Sequence, residues 1–259
     1  MRKIVTVFII IAVIAVMGLS GFYYLYMYPR YTVPILMYHF INEDRNNSLS
    51  ISPELFESQM EFLHKNGYSA IPLADLAEGI KSGRKFSHKT VVLTFDDGYK
   101  CNYLNAFPVL AKYNIPATIF LITDSVGRDS GVMTWDQVRL MAKNGIDFGG
   151  HTKKHVYLPD VKDDQVLREE VEGSKKAIER ELGVKAGYFS YPLGGFNDKI
   201  KEIVKQAGYE GACTTNRGGN RFNLDVYELN RLKVIDKPFH FRAFLSGYYN
   251  LFREPRKRS

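Results

Sequence analysis

The chain has 259 residues, of which 45% are hydrophobic and 24% charged, and a formal charge of +7. That is enough apolar chain for one large core, and it excludes a disordered or low-complexity protein. No nucleic-acid module accompanies the positive charge, and two cysteines without a CxxC exclude a disulfide framework.

Arg2 and Lys3 precede an apolar run from Ile4 to Tyr28, broken only by Thr6, Gly18, Ser20 and Gly21. About 20 apolar residues suffice to cross a bilayer. Tyr23, Tyr24, Tyr26 and Tyr28 stand at the far end, where an aromatic belt would lie. The run predicts a single-pass signal anchor over 1–28. Arg2 and Lys3 hold its start in the cytoplasm, so the body faces outward. A cleaved signal peptide and secretion are the alternative, although neither an A-x-A site nor a lipoprotein cysteine follows. The rest reads as one domain, 29–250, and a basic tail, 251–259, which carries Arg253, Arg256, Lys257 and Arg258. Such a tail is usually solvated, and it can also touch anionic lipid or an acidic polymer.

After a linker at Pro29–Thr32, Val33–Tyr38 reads as a buried strand. Ser52 and Pro53 give an N-cap and an N1 proline, opening a helix that Gly67 closes. Thr90–Phe95 is a second strand, followed by a helix through Val109 and Leu110, and Ala117–Ile122 is a third. Thr134 and Gln137 form a capping-box pattern for a helix ending near Gly145. A short strand at Ile146–Gly149, a long amphipathic helix at Asp163–Leu182 and a strand at Gly187–Tyr191 come next. Asp198 caps a helix to Ala207, and Tyr209–Thr214 is a further strand. Apolar strands alternating with helices predict an α/β fold with a covered parallel sheet. A TIM-like (β/α) barrel, distorted or incomplete, leads; a doubly wound sheet is second. Cys101 and Cys213 either form one bridge or remain free thiols.

Four polar clusters each follow a predicted strand: His39, Asp96–Asp97–Gly98, His151–Thr–Lys–Lys–His155 and Tyr191–Pro–Leu–Gly–Gly195. In a (β/α) barrel the C-terminal strand ends share one face, where active sites are built. Alone, Asp–Asp–Gly is as readily a turn, and two histidines four apart are more often surface residues. On a helical turn that spacing would put both imidazoles on one face. Two imidazoles and one carboxylate can hold a divalent metal and leave positions open for water and substrate, which suits hydrolysis. His39 as a buried core histidine is the structural alternative to a catalytic role. Trp135, beside the cap Thr134, either stacks a sugar ring or packs. His64 and His88 lack such a context.

TFDDGY (Thr94–Tyr99) and HTKKH (His151–His155) resemble the first two motifs of the polysaccharide deacetylases, carbohydrate esterase family 4, whose domain is of NodB type. The resemblance spans roughly Val33 to Phe244 and implies a distorted, incomplete (β/α) barrel. It implies Asp96 as general base and Asp97, His151 and His155 as ligands of a divalent metal, Zn²⁺ first, with Co²⁺ or Ni²⁺ as alternatives. The third family motif usually carries an arginine that partners the base; Ser190 stands in its place. The variant resembles the poly-N-acetylglucosamine deacetylase branch, in which the acid comes from the first strand, here His39. His240, in KPFHF, lacks the strand context of the family's usual acid. By position the oxyanion donor is the Leu193 N–H, with Tyr191 and Trp135 as further candidates on the substrate side. Arg231, in ELNRLKV, is the candidate replacement for the missing arginine. The implied activity is removal of N-acetyl groups from an N-acetylglucosamine polysaccharide at the cell surface, an exopolysaccharide or peptidoglycan. O-acetyl ester hydrolysis and non-catalytic glycan binding are the competing readings. The expected partners are the acetylated glycan and the membrane, and no nucleic acid.

Overall fold

The computed structural model describes residues 2–28, 31–44, 46–215 and 222–249. The chain begins with helix α1 (Arg2–Phe22), extended by a π-helical turn at Tyr23–Met27. The segment Ile4–Met27 is long and apolar enough to cross a membrane, and none of its apolar window is buried against the protein. In chain order there follow β1 (Ile35–Tyr38), β2 (Phe40–Ile41), β3 (Ser50–Ile51), α2 (Pro53–Lys65), β4 (Ser69–Ala70) and α3 (Leu73–Ser82). The middle of the chain forms β5 (Thr90–Phe95), α4 (Phe107–Tyr113), β6 (Ala117–Leu121), α5 (Trp135–Lys143) and β7 (Ile146–Gly150). The last part forms α6 (Asp164–Leu182), β8 (Tyr188–Ser190), α7 (Asp198–Gln206), β9 (Gly211–Thr214), β10 (Leu229–Asn230), β11 (Leu232–Lys233) and α8 (Pro238–Leu245). The basic tail and the His240 side chain lie outside the described residues.

The main sheet is parallel, in the order β10-β9-β8-β7-β6-β5-β1-β11. Its two outermost strands are consecutive in sequence, separated only by Arg231. Leu229 and Asn230 pair with Cys213 and Thr214 of β9, and Leu232 and Lys233 pair with Leu36 and Met37 of β1. One segment, broken at a single residue, therefore joins both edges and closes the barrel. This is the expected (β/α) barrel and not the doubly wound alternative.

Local chemistry explains the element ends. Ser52 caps α2 by accepting from the Leu55 N–H, and Thr134 and Gln137 form a reciprocal capping box on α5. The cap of α7 is Asn197, whose side chain accepts from the Ile200 N–H, one residue before the expected Asp198. An unanticipated helix, α3, rises from Pro72 and buries Leu73, Leu76 and Ala77. The strands β1, β5 and β6 are buried along their whole lengths, as strands covered on both faces must be. Cys101 and Cys213 are both free thiols.

Candidate active site

Side chains alternate along a strand, and this brings residues from successive strands into one cleft of 580 Å³ at the C-terminal mouth of the barrel. Of the expected site residues, His39, Asp96, Asp97, His151, His155, Tyr191 and Leu193 line it together. Trp135 does not. It opens α5, half-buried, and packs against the core. Tyr191 is fully buried beneath the cleft; its ring stacks on Phe196 and its hydroxyl donates to the Tyr227 carbonyl.

Asp97 Oδ1 lies 3.4 Å from His151 Nε2 and 3.5 Å from His155 Nε2. Two atoms bound to a tetrahedral zinc at about 2.0–2.1 Å sit about 3.3 Å apart. One ligand atom from each of the three residues falls within 4.8 Å of the others. Asp97 Oδ1 is buried and accepts no hydrogen bond, an arrangement that costs stability unless a cation satisfies it. The His151 Nδ1 faces the Ser190 carbonyl at 2.7 Å, which fixes the ring with Nε2 toward Asp97. The donor set therefore fits a divalent metal.

The two histidines do not meet on a helical turn, as their spacing suggested. Residues 151–155 form a tight loop in which Thr152 (φ 63°) and His155 (φ 59°) take left-handed conformations. The Thr152 hydroxyl accepts from the His155 N–H at 2.8 Å. Glu170 of α6, itself buried, accepts from the N–H groups of Lys153 and Lys154. Glu170 looked like one more charge on an amphipathic helix, and nothing in its local sequence distinguished it as a brace for this loop.

Asp96 is clamped by Arg231. Nη1 and Nη2 donate to the two carboxylate oxygens, each at 2.7 Å. The remaining donors reach the Thr94 hydroxyl, the Ser190 hydroxyl and the Thr214 carbonyl. All five guanidinium N–H groups are thus engaged in a fully buried side chain. Burial alone would raise the Asp96 carboxyl. The Arg231 guanidinium, helped by His151 and His39, instead holds it well below the usual carboxylate range. The Ser190 hydroxyl accepts one of the Arg231 bonds, at 2.8 Å, from the guanidinium carried by the closing segment.

His39 Nε2 lies 3.9 Å from Asp96 Oδ2. Burial lowers its pKa, and the charges of Asp96 and Asp97 offset only part of the effect. Leu193 adopts φ 54° and is 61% exposed over the cleft. Gly194 beside it has φ 71°, and a Cβ there would lie 2.8 Å from the Thr215 backbone nitrogen, so the turn admits only glycine. Tyr99, stacked on Phe40 with ring centroids 3.6 Å apart, and Lys233 also line the cleft. Tyr99 belongs to the TFDDGY motif; Lys233 carried no motif signal.

Residues 83–212 match the family model described as polysaccharide deacetylase. YxkH of Bacillus subtilis (strain 168), named for the same activity, is 36% identical over 202 residues, covering 78% of this chain and 71% of that protein. The poly-beta-1,6-N-acetyl-D-glucosamine N-deacetylase of Staphylococcus aureus (strain MRSA252) is 26% identical over 215 residues, covering 78% and 74%. Among solved structures, Streptococcus pyogenes deacetylase PplD in complex with acetate aligns with a TM-score of 0.76 at 28% identity, covering 82% of this chain and 97% of that one. IcaB from Ammonifex degensii aligns with a TM-score of 0.72 at 25% identity, covering 83% and 97%.

Proposed function

Because the chain belongs to the polysaccharide deacetylase family, we propose that it removes N-acetyl groups from an N-acetylglucosamine polysaccharide at the cell surface, with a divalent metal, zinc first, held by Asp97, His151 and His155. The observation that carries this reading is the pairing at one cleft of an orphaned Asp97 oxygen between two imidazoles with an Asp96 carboxylate held ionised by Arg231. The likeness to the staphylococcal poly-N-acetylglucosamine enzyme supports the substrate class. The exposed apolar helix supports an anchor over 1–28, with the domain 29–250 outside the membrane.

A metal bound there supplies Lewis acidity to the acetamide carbonyl and the attacking water. Asp96 stays ionised through neutral and mildly acidic pH and accepts a proton from that water, and its clamp fixes the direction from which it does so. The Leu193 N–H, presented by a strained turn, donates to the oxygen that gains charge as the carbonyl becomes tetrahedral. His39, its Nε2 3.9 Å from Asp96 Oδ2, takes on the proton that Asp96 accepted from the water and delivers it to the departing nitrogen. Glucosamine and acetate are the products.

The test is acetate release by the full chain in detergent on poly-β-1,6-N-acetylglucosamine, metal-stripped and then reloaded with Zn²⁺, Co²⁺ or Ni²⁺. Acetylated xylan serves as the ester control. Activity should vanish on stripping and return on reloading. Acetate from xylan alone would replace amide with ester hydrolysis. Asp96→Asn should keep the metal and lose about 10²–10⁴-fold in turnover; near-normal turnover would remove the base assignment.

A further inference from the structure

Lys233 follows Arg231 by two residues on the same closing segment, and both residues line the cleft. Arg231 lies at the level of Asp96, and Lys233 stands one layer nearer the mouth, paired in register with Met37 and lining the cleft beside His39. Its ammonium forms no hydrogen bond or ion pair with any described residue. The other charges in the cleft are already committed. Arg231 cancels Asp96, and Asp97 faces the two imidazoles at the metal position. With a divalent metal in place, Lys233 is the cation of this cleft whose charge is left to act on whatever enters.

The reaction itself changes the charge of its substrate. A neutral N-acetylglucosamine becomes a glucosamine whose amine is protonated near neutral pH. We propose that Lys233 makes the cleft read the sign of charge on the sugar flanking the reacting residue. It disfavours a neighbour that is already a glucosamine, and so spaces the deacetylated residues along the polymer. This rests on the N-deacetylase reading given above. The repulsion acts within a cleft walled by protein, where like charges at subsite distance are only partly screened. A neutral neighbour meets no such penalty, and an anionic one is attracted.

The test uses an N-acetylglucosamine hexamer, the full metal-loaded chain and sequencing of the products by mass spectrometry at low conversion and at the endpoint. Wild type should yield doubly deacetylated hexamers in which the two glucosamines are non-adjacent, in at least tenfold excess over adjacent pairs. Lys233→Met should bring adjacent pairs to the level expected from random attack, and Lys233→Arg should restore the spacing. Raising the salt concentration should weaken the wild-type bias and leave the Lys233→Met pattern unchanged. Adjacent pairs at random frequency in wild type would overturn the proposal, as would a spacing that Lys233→Met retains. Failure to release acetate from any N-acetylated glycan would instead overturn the proposed function, so the two failures read differently.

Discussion

Asp97, Thr152, His155 and Leu193 all hold positive φ; Asp97, His155 and Leu193 line the cleft, and Thr152 is buried next to His151, which also lines it. The other described non-glycine residues in that region, Asn114 and Asn223, are asparagines, which tolerate it. Each such conformation costs on the order of 1–3 kcal/mol and persists where the surroundings enforce it. At Asp97 the left-handed turn sends two consecutive carboxylates apart, Asp96 to Arg231 and Asp97 to the histidines. The buried Asp96–Arg231 pair is the tightest of these constraints. Arg231→Met strands the carboxylate and should cost about 3–5 kcal/mol in urea unfolding. Adding Asp96→Asn should recover much of that loss without restoring turnover, whereas additive losses would show that the clamp is not the coupling. At the proposed metal site, His151 sets the acid limit. Burial alone would lower His151, but Asp96 and Asp97 outweigh it and leave its pKa above the ordinary histidine value. Metal requires the neutral ring. As pH falls through that raised pKa a proton must be displaced, and affinity should drop by up to about tenfold per pH unit. Zinc competition titrations between pH 8 and pH 6 should show this slope; a flat profile would mean that His151 is not a ligand.

The elements that carry chemistry were legible because strands buried on both faces read as continuous apolar runs, and polar residues punctuate their C-terminal ends. TVVLTF followed by Asp–Asp–Gly is such a case. What stayed hidden depends on distance through space. Leu73–Ser82 carries no side-chain cap and starts from Pro72, so α3 was announced only by the spacing of Leu73, Leu76, Ala77 and Ile80 and by the closing Gly83. The spacing of His151 and His155 suited a helix, yet β7 runs directly into a loop that Glu170 braces from another element. Arg231 could be named as a candidate partner for Asp96, but its reach across the barrel interior is a property of closure and not of the local sequence. The small residues that end β7 are also explained only by their neighbours. A Cβ on Gly149 would lie 2.4 Å from the Tyr188 carbonyl of β8 and 2.7 Å from the Phe120 ring. Gly149→Ala should therefore cost about 1–3 kcal/mol and weaken metal binding with it, because His151 is two residues on. Calorimetric unfolding with and without zinc measures both effects, and unchanged zinc affinity would separate the loop from its strand.

For the whole molecule, closure joins residues far apart in sequence: Met37 meets Lys233, and Asp96 meets Arg231. Long-range pairing of this kind forms slowly, because chain entropy must be lost before the contacts reward it. The one tryptophan, Trp135, lies in the α5 region between β6 and β7, whose pairings are local. During refolding from urea with metal present, its fluorescence should recover before deacetylase activity does. Simultaneous recovery would place barrel closure early. The segment Leu229–Lys233 has a second consequence. Unpaired strand edges are templates for self-association, and this barrel conceals two of them, β9 and β1, beneath five residues. If that stretch peels away, both edges open together, and two edges on one molecule allow chains to add at either side. Loosening the seal should therefore lower solubility as well as turnover, and the buried guanidinium at its centre is what ties the segment to β5, β8 and β9.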